Sequence, residues 1–309
     1  MSTIHLQNHP KRKKENPEKV FKNVHRDNVR TILPAHSKFA MKKVFAATGV
    51  FITSLFGLFI FFVSCNNKTS SDDSPGNFEL VWSDEFNGNA VDTTSWNFET
   101  GGNGWGNHEQ EYYQRANATV SDSNLVIEGR REDLELPNAV YHYTSSRMTT
   151  KGKHEFLYGK IEARIKIPVG QGLWPAFWML GADIDKVDWP ACGETDIMEH
   201  INTDSLLYGT LHWDNNGHVQ KGDTLVFTPS EYHIYAVVWD EQSIRWYVDG
   251  KKYHEVDIHD NVNSTDEFHK PFFILLNLAI GGDWPGQVID DAVLPAKMYV
   301  DYVRVYKKK

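Results

Sequence analysis

Cysteine is scarce in this sequence, with Cys65 and Cys192 the only two among 309 residues. A framework of several disulfides is therefore excluded. Basic residues are also in deficit, because 32 Lys and Arg stand against 41 Asp and Glu, for a net charge of -9. This charge argues against a nucleic-acid partner, since phosphate binding requires a cationic surface.

Two further features are missing from residues 78–309. No segment there shows a convincing helical period of apolar residues. The glycine-rich run GGNGWGNHE at residues 101–109 lacks the Lys-Ser/Thr ending and the strand-loop-helix context of a phosphate loop. Aromatic residues, in contrast, are abundant, at 13% with ten Trp. Such a surplus in a polar chain indicates stacking against sugars.

The amino-terminal part of the chain has the composition of a targeting region. Residues 1–40 are polar and basic, and we expect a non-native upstream extension or a disordered basic arm. Residues 41–64 begin with Met-Lys-Lys and continue as an apolar run, which is the order of a secretory signal. A permanent membrane helix is the alternative, since about twenty apolar residues can span a bilayer.

The end of this run resembles a bacterial lipoprotein box. Phe62-Val-Ser-Cys65 has Phe where Leu is usual, and the resemblance implies cleavage before Cys65 and lipidation of that cysteine. Cys192 would then have no partner, and we expect it to be a packed free thiol rather than a catalytic one. The predicted product is an exported, membrane-anchored lipoprotein, periplasmic or at the cell surface, with a flexible spacer at residues 65–77.

Residues 78–309 are predicted to form one all-β domain. Residues 125–129, 160–167 and 299–306 alternate apolar and polar side chains, as half-buried strands do. Residues 234–239 and 244–248 flank a turn, and Asp249-Gly250 is a strong hairpin signal. A domain of this length built from such strands indicates a two-sheet antiparallel β-sandwich of the jelly-roll type.

Three carboxylates lie within six residues, at Glu194, Asp196 and Glu199. On a strand, Glu194 and Asp196 share a face, whereas strict alternation would send Glu199 to the other face. A one-residue bulge at Ile197-Met198 would return Glu199 to the first face. Three adjacent carboxylates repel one another, so stability alone does not explain the arrangement. It fits the carboxylate pair of a retaining glycosidase, with a third acid that separates their pKa values.

These residues resemble a known family. Glu194-Thr-Asp-Ile-Met-Glu199 is similar to the E-x-D-x-x-E signature of glycoside hydrolase family 16, in the bulged form of laminarinase-like endo-β-1,3-glucanases. The run GLWPAFWML at residues 172–180 resembles the substrate strand of the same subgroup. The resemblance extends from residue 78 to residue 306, and it implies a jelly roll in which one concave sheet forms the substrate cleft.

The resemblance implies retaining, endo-acting cleavage of a β-1,3-glucan of laminarin type, with Glu194 as nucleophile, Glu199 as acid/base and Asp196 as their modulator. No cofactor is expected for this chemistry, and we expect a monomer. A noncatalytic glycan-binding lipoprotein is the alternative from another class. A hydrolase or transglycosylase of the same fold, acting on mixed-linkage glucan or a marine galactan, is a further one.

Several side chains outside the acid strand are predicted to contact the sugar. We expect Trp178 to form the floor of the subsite beside the cleaved bond, because a pyranose packs on an indole ring. The candidates for substrate binding are Trp105, Asn107, Glu109, Arg147, Trp174, Trp178, Trp189, His212 and Trp284. The resemblance also implies a structural Ca²⁺ on the convex face, with Asp301 as ligand and a contribution near Glu79; a hydrogen-bonded Asp301 without metal is the alternative.

Overall fold

The structure, a computed structural model, describes residues 73–309. The predictions for the upstream extension, the signal and the lipidation of Cys65 lie outside the described residues, and they stay predictions. Among residues 73–309, no helix has the length and apolar character needed to cross a bilayer.

The described residues form seventeen strands joined by short turns. The strands are β1 (Phe78–Asp84), β2 (Asn97–Glu99), β3 (Glu111–Tyr113), β4 (Ala118–Ser121), β5 (Asn124–Leu136), β6 (Ala139–Ser145), β7 (Arg147–Thr149), β8 (Gly159–Lys166), β9 (Leu173–Gly181), β10 (Glu194–Glu199), β11 (Leu206–Asp214), β12 (His218–Val226), β13 (Tyr232–Trp239), β14 (Ser243–Val248), β15 (Lys251–Asp257), β16 (Phe272–Ile280) and β17 (Ala296–Lys308). The helical segments are α1 (Ile184–Val187) and the 3-10 turns Pro75–Asn77, Arg115–Asn117, His259–Ser264, Asp266–His269 and Asp291–Val293.

The strands form two sheets. The seven-stranded sheet has the order β12-β11-β10-β9-β16-β7-β2. The ten-stranded sheet has the order β15-β14-β13-β8-β17-β5-β6-β3, with β1 added on β17 and β4 on β5. Within the described range the strand pairs are antiparallel, apart from the short parallel pair of β3 and β6. The prediction of an all-β, two-sheet jelly roll is therefore confirmed.

One continuous hydrophobic core lies between the sheets. Ile161, Ala163 and Ile165 of β8 point into it, and polar residues alternate with them, as the sequence pattern predicts. Strand β16 differs, because all nine of its residues are buried. Its sequence is apolar apart from Asn277, as is typical of a central strand with little exposure on either face.

The predicted hairpins are present. Trp239 pairs with Ile244 across the first turn, and Val248 pairs with Lys251 across the second. Asp249 and Gly250 at the second turn both have positive φ, at 49° and 76°. This is the conformation of a type I′ turn, which explains the Asp-Gly pair.

Candidate active site

A cleft of about 920 Å³ lies over the outer face of the seven-stranded sheet. Because side chains alternate along a strand, every second residue of the central strands points into it. Trp174, Ala176, Trp178 and Leu180 come from β9, and Tyr208, Thr210 and His212 come from β11. Glu194, Asp196 and Glu199 of β10 lie between these two rows.

The predicted bulge is present in β10. Asp196 pairs with Thr210 and Trp178, and the register then shifts by one residue, so that Glu199 pairs with Tyr208 and Ala176. Ile197 and Met198 are both buried in the core. The extra residue therefore returns Glu199 to the cleft, and all three acids line one surface, as predicted from their spacing.

A side chain of the opposite sheet anchors the bulge. Trp246 of β14 is fully buried, and its Nε1 donates a hydrogen bond of 2.7 Å to the backbone oxygen of Asp196. Asp196 is the last residue before the register shift. The bond thus connects the position of the bulge to the packing between the two sheets.

Burial raises the pKa values of all three carboxyl groups. It raises the pKa of Glu194 to about 8, with the Asp196 charge second, while His212 and a hydrogen bond from Trp189 oppose the shift. It raises the pKa of Asp196 to about 7, against a hydrogen bond with Glu194. Burial, then the charges of Asp196 and Glu194, raise the pKa of Glu199 well above its ordinary value. The protonated form of Glu199 is therefore favoured, and the titrations of the neighbouring acids affect one another.

Two tryptophan side chains orient the carboxyl groups of Glu194 and Glu199. Trp189 Nε1 donates to Glu194 Oε2 at 2.8 Å, and Trp174 Nε1 donates to Glu199 Oε1 at 3.0 Å. The Trp189 side chain is 46% exposed, which leaves part of its ring open to a ligand. Both residues were predicted as sugar contacts, and the structure additionally places them as hydrogen-bond donors to the two carboxyl groups.

His212 lies in the cleft beside Asp196. Its Nε2 is 3.2 Å from Asp196 Oδ2, and its Nδ1 is 2.8 Å from Nε2 of His218. The two imidazole rings are stacked at 13°, and His218 also contacts the Trp189 ring, with centroids 4.6 Å apart. The sequence prediction omitted His218. The Asp-Asn-Asn-Gly turn at residues 214–217 is the signal that could have placed it on the same face as His212.

A hydrogen-bonded chain connects the glycine-rich loop with the floor of the cleft. Trp178 Nε1 donates to Asn277 Oδ1 at 2.7 Å, and Asn277 Nδ2 donates to the Tyr113 hydroxyl at 3.1 Å. That hydroxyl donates to Glu109 Oε2 at 2.8 Å, and Asn107 Nδ2 donates to Glu109 Oε1 at 3.1 Å. Asn107 and Glu109 line the cleft as predicted, with Glu109 held by other side chains.

Arg147 lies between two aromatic rings of the cleft. Its guanidinium carbon is 4.9 Å from the Trp105 ring centroid and 4.7 Å from that of Trp178. Its Nε donates to Glu99 Oε2 at 2.5 Å. Cation–π contacts on both sides fix the planes of the two indoles against one another.

Trp284 lies at the rim, on the loop that follows β16. It is 40% exposed, and its ring makes edge contacts with Trp174 and Tyr208, at centroid distances of 5.5 and 4.8 Å. All of the predicted substrate-contact residues therefore line one cleft. Tyr208 and Asn277 also line it, and they were not among the predicted contacts.

The predicted calcium ligands are not brought together. Glu79 pairs with Lys307, and Asp301 lies six residues earlier on the same strand, roughly 20 Å away at the rise of a β-strand. Asp301 Oδ2 accepts a hydrogen bond of 2.7 Å from Arg164, so a guanidinium already neutralises it. Calcium requires six to eight oxygen ligands, and these two residues do not supply such a set. These two residues therefore do not form a joint site, and the structural Ca²⁺ stays a prediction.

Cys192 is a packed thiol. It is fully buried, and its Sγ donates to the backbone oxygen of Gly193 at 3.4 Å. Burial, with the Glu194 charge second, raises the pKa of the thiol to about 12. The thiolate that a nucleophilic role needs is therefore disfavoured, which agrees with the prediction.

Glu111, just after the glycine-rich loop at residues 101–109, is a buried carboxylic acid. Its Oε2 accepts from the Ile280 amide at 2.6 Å. Burial, with the Glu109 charge second, raises its pKa well above the ordinary value, and a hydrogen bond with Glu109 acts in the same direction. The folded protein thus binds this proton at pH values where the unfolded chain, with a pKa of about 4.3, has lost it.

We expect Glu111→Gln to remove part of the pH dependence of stability. A raised folded pKa makes the free energy of unfolding fall as pH rises above about 4.3, by up to about 1.4 kcal/mol per pH unit for one group. Gln keeps an acceptor for Ile280 and a donor for Glu109 but has no proton to lose. The stability of the variant relative to that of the wild type should therefore increase as pH rises. Denaturant unfolding across this range measures the difference. The exposed Glu135→Gln is the matched control, and parallel curves for wild type and Glu111→Gln would contradict the assignment.

A jelly-roll sandwich with paired carboxyl groups, one held protonated, in an aromatic cleft is the architecture of a glycosidase. The comparison with protein families agrees, because residues 108–304 match the model for glycosyl hydrolases family 16. The chain belongs to this family.

Curated and solved relatives are consistent with the assignment. The chain is 44% identical over 235 residues to the clotting factor G alpha subunit of Tachypleus tridentatus, a match that covers 74% of this chain and 34% of that protein. It is 37% identical over 288 residues to a beta-glucanase of Rhodothermus marinus, covering 86% of this chain and 96% of that one. The catalytic domain of an endo-1,3-beta-glucanase (laminarinase) from Thermotoga petrophila RKU-1 superposes with a TM-score of 0.69 at 44% identity, over 75% of this chain and 98% of that domain.

Proposed function

We propose that the protein is a retaining endo-β-1,3-glucanase that cleaves laminarin-type glucan. The observation that carries the proposal is the bulged β10, which places Glu194 and Glu199 in one cleft with Asp196 between them. The solved relative described as an endo-1,3-beta-glucanase (laminarinase) supports the linkage. The chain spans about a third of the length of the clotting factor G alpha subunit.

In the first chemical step, Glu194 attacks the anomeric carbon of a β-linked glucosyl unit and forms an α-linked glycosyl-enzyme. Glu199 gives its proton to the departing glycosidic oxygen, so the leaving chain departs as a neutral alcohol. Burial and the charges of Asp196 and Glu194 raise the pKa of Glu199, which favours the protonated form that this step needs. The hydrogen bond from Trp174 holds the carboxyl group in the cleft.

In the second step, water replaces the enzyme at the anomeric carbon. Glu199, now ionised, takes the proton of the water, and the released sugar keeps the β configuration. The charge of Asp196 is one cause of the raised pKa of Glu194, so a proton on Asp196 favours the ionised Glu194 that the attack requires. His212 lies beside Asp196, with its Nε2 3.2 Å from Asp196 Oδ2.

The charge of the cleft favours a neutral polymer over a sulfated one. Five carboxyl groups line it, and the one guanidinium among the lining residues, that of Arg147, is paired with Glu99. Sulfate groups would meet repulsion here without a cation to receive them. The same acids count against a purely glycan-binding protein, which would need the aromatic rings but not three carboxyl groups side by side, two of them buried.

The substrate class and the stereochemistry can be tested together. We expect the protein to release short oligosaccharides from laminarin, with slower action on lichenan and none on agarose or carrageenan. Proton NMR of the fresh products should show the β anomer first, because two displacements retain configuration. An initial α anomer would exclude the double displacement, and cleavage of carrageenan in preference to laminarin would exclude the glucan assignment. Product lengths that exceed those of the substrate would instead indicate a transglycosylase.

A further inference from the structure

Three residues of the cleft, Glu194, Asp196 and His212, offer oxygen and nitrogen atoms of the kind that ligate metal ions. The hydrolytic mechanism does not use them in that role. Glu194 and His212 are directly paired across β10 and β11, and Asp196 follows Glu194 on the same face. One donor atom from each of the three residues lies within 4.8 Å of the other two. Adjacent strands therefore bring two carboxylates and one imidazole close together in the cleft.

One carboxylate oxygen of this group lacks a hydrogen-bond partner among the described residues. Asp196 is 2% exposed, and its Oδ2 has no hydrogen bond among the described residues. His212 Nε2 lies 3.2 Å away, without the direction of a hydrogen bond. Ligands of a tetrahedral ion are separated by about this distance when the bonds are about 2.0–2.1 Å long. The buried oxygen and the imidazole nitrogen are thus placed as two ligands of a small cation would be.

The second nitrogen of His212 is also held as in a metal site. Its Nδ1 lies 2.8 Å from Nε2 of His218. If Nδ1 donates to His218, the lone pair of Nε2 is directed at the cluster, and a partner of this kind fixes the tautomer of a ligating histidine. The ring stack with His212 and the contact with Trp189 keep His218 in this position.

We propose that Glu194, Asp196 and His212 form a reversible transition-metal site, with Zn²⁺ as the representative ion, whose occupancy blocks the cleft. One imidazole with two carboxylates and an open fourth position suits Zn²⁺ and Co²⁺, whereas Ca²⁺ and Mg²⁺ prefer oxygen ligands alone. The surplus of carboxyl groups in the cleft attracts a divalent cation. The blocking effect rests on the proposed hydrolytic function, but the binding does not.

Metal titration of the full chain, purified without a polyhistidine tag, tests the binding. We expect one Zn²⁺ site by calorimetry, and with Co²⁺ the intense visible absorption of a four-coordinate ion. Mg²⁺ and Ca²⁺ should give neither signal. His212→Gln should abolish the site, and His218→Ala should weaken it roughly 10- to 100-fold, as loss of a partner behind a ligand does. Thermal melts of each variant check that it folds.

His259→Ala is the matched control. His259 is exposed and lies 2.5 Å from Asp257, so it is a histidine beside a carboxylate without further ligands. Its loss should leave the affinity unchanged. An affinity unaltered by both His212→Gln and His218→Ala, or absence of the cobalt spectrum at millimolar metal, would overturn the site.

The blocking effect has a separate readout. Zn²⁺ should raise KM for a soluble β-1,3-glucan without lowering the limiting rate, and a chelator should restore the original value. Binding without inhibition would overturn the claim that the ion blocks the cleft. Should the protein fail to hydrolyse glucan at all, the titrations would still decide whether the metal site exists.

Discussion

Glu194→Gln should lower kcat for glucan hydrolysis roughly 10⁴- to 10⁶-fold, the range found when a covalent nucleophile is removed. The amide cannot form the glycosyl-enzyme, whereas its oxygen can still accept the hydrogen bond from Trp189. The affinity for a β-1,3-linked oligosaccharide should therefore change little. Initial rates and calorimetric binding measure the two effects. The control is Glu255→Gln, an exposed exchange on the opposite sheet that should keep near wild-type activity.

A small nucleophile distinguishes the role of Glu194 from a merely structural one. In Glu194→Ala, azide can enter the space left by the carboxylate and attack a substrate that carries a good leaving group. The product should be the α-glycosyl azide, because only one displacement then takes place. Recovery of the β azide from this variant, or near wild-type hydrolysis by Glu194→Gln, would remove Glu194 as the nucleophile.

Glu199→Gln should cost about 10²- to 10⁴-fold on polymeric glucan, the usual contribution of a general acid or base. The expected loss in the first step is smaller for an aryl glycoside, whose leaving group needs no proton. The wild-type rate should fall as pH rises through the raised pKa of Glu199, since the proton for the leaving oxygen is then lost. This fall of the rate at high pH should be absent from the first step of the variant. Pre-steady-state release of the aryl group measures the rate of that step.

Azide again separates the alternatives for Glu199. The variant forms the glycosyl-enzyme but lacks the base that activates water, so azide should restore turnover and give the β-glycosyl azide. Asp204→Asn supplies a control carboxyl group outside the cleft, paired with the Tyr208 hydroxyl. Equal losses on polymer and aryl glycoside, with no effect of azide, would show that Glu199 only shapes the cleft.

The roles assigned to Glu194 and Glu199 depend on differences between the surroundings of these two carboxyl groups. Glu199 faces two neighbouring acids, and both of their charges add to the effect of burial. For Glu194, the Asp196 charge is the neighbouring acid charge that adds to burial, while a tryptophan hydrogen bond and His212 oppose the rise of the pKa of both groups. Two carboxyl groups on one strand thereby acquire different proton affinities, which the acid and the nucleophile of a retaining enzyme require.

Much of this site could be predicted from sequence because it lies on regular strands. The alternation of side chains places Trp174 and Trp178 on one face, and the count from Asp196 to Glu199 requires the bulge. The positions of loop side chains were harder to predict, because residues 101–109 do not follow the regular alternation of a strand. The contact of Asn107 with Glu109 and the chain through Tyr113 to Trp178 depend on how that loop packs on β16.

Glu79 and Asp301 lie apart for a reason of register. A resemblance between sequences places Asp301 on a strand, but it does not show which side chains lie beside it. In the folded protein, β8 brings Arg164 to Asp301, while β1 pairs with the far end of β17. His218 was missed for a related reason, since its role arises only when β12 folds back on β11.

The sequence by itself determined the all-β class, the alternation of the strands and the single cleft face that carries Glu194, Asp196 and Glu199. These features follow from local rules, because a strand has a period of two and one extra residue reverses it. Only the tertiary structure decided the proton affinities of the acids, the anchoring of the bulge by Trp246 and the partner of Asp301. Each of these depends on burial or on a contact between residues distant in the chain, and such contacts are set by the packing of two sheets.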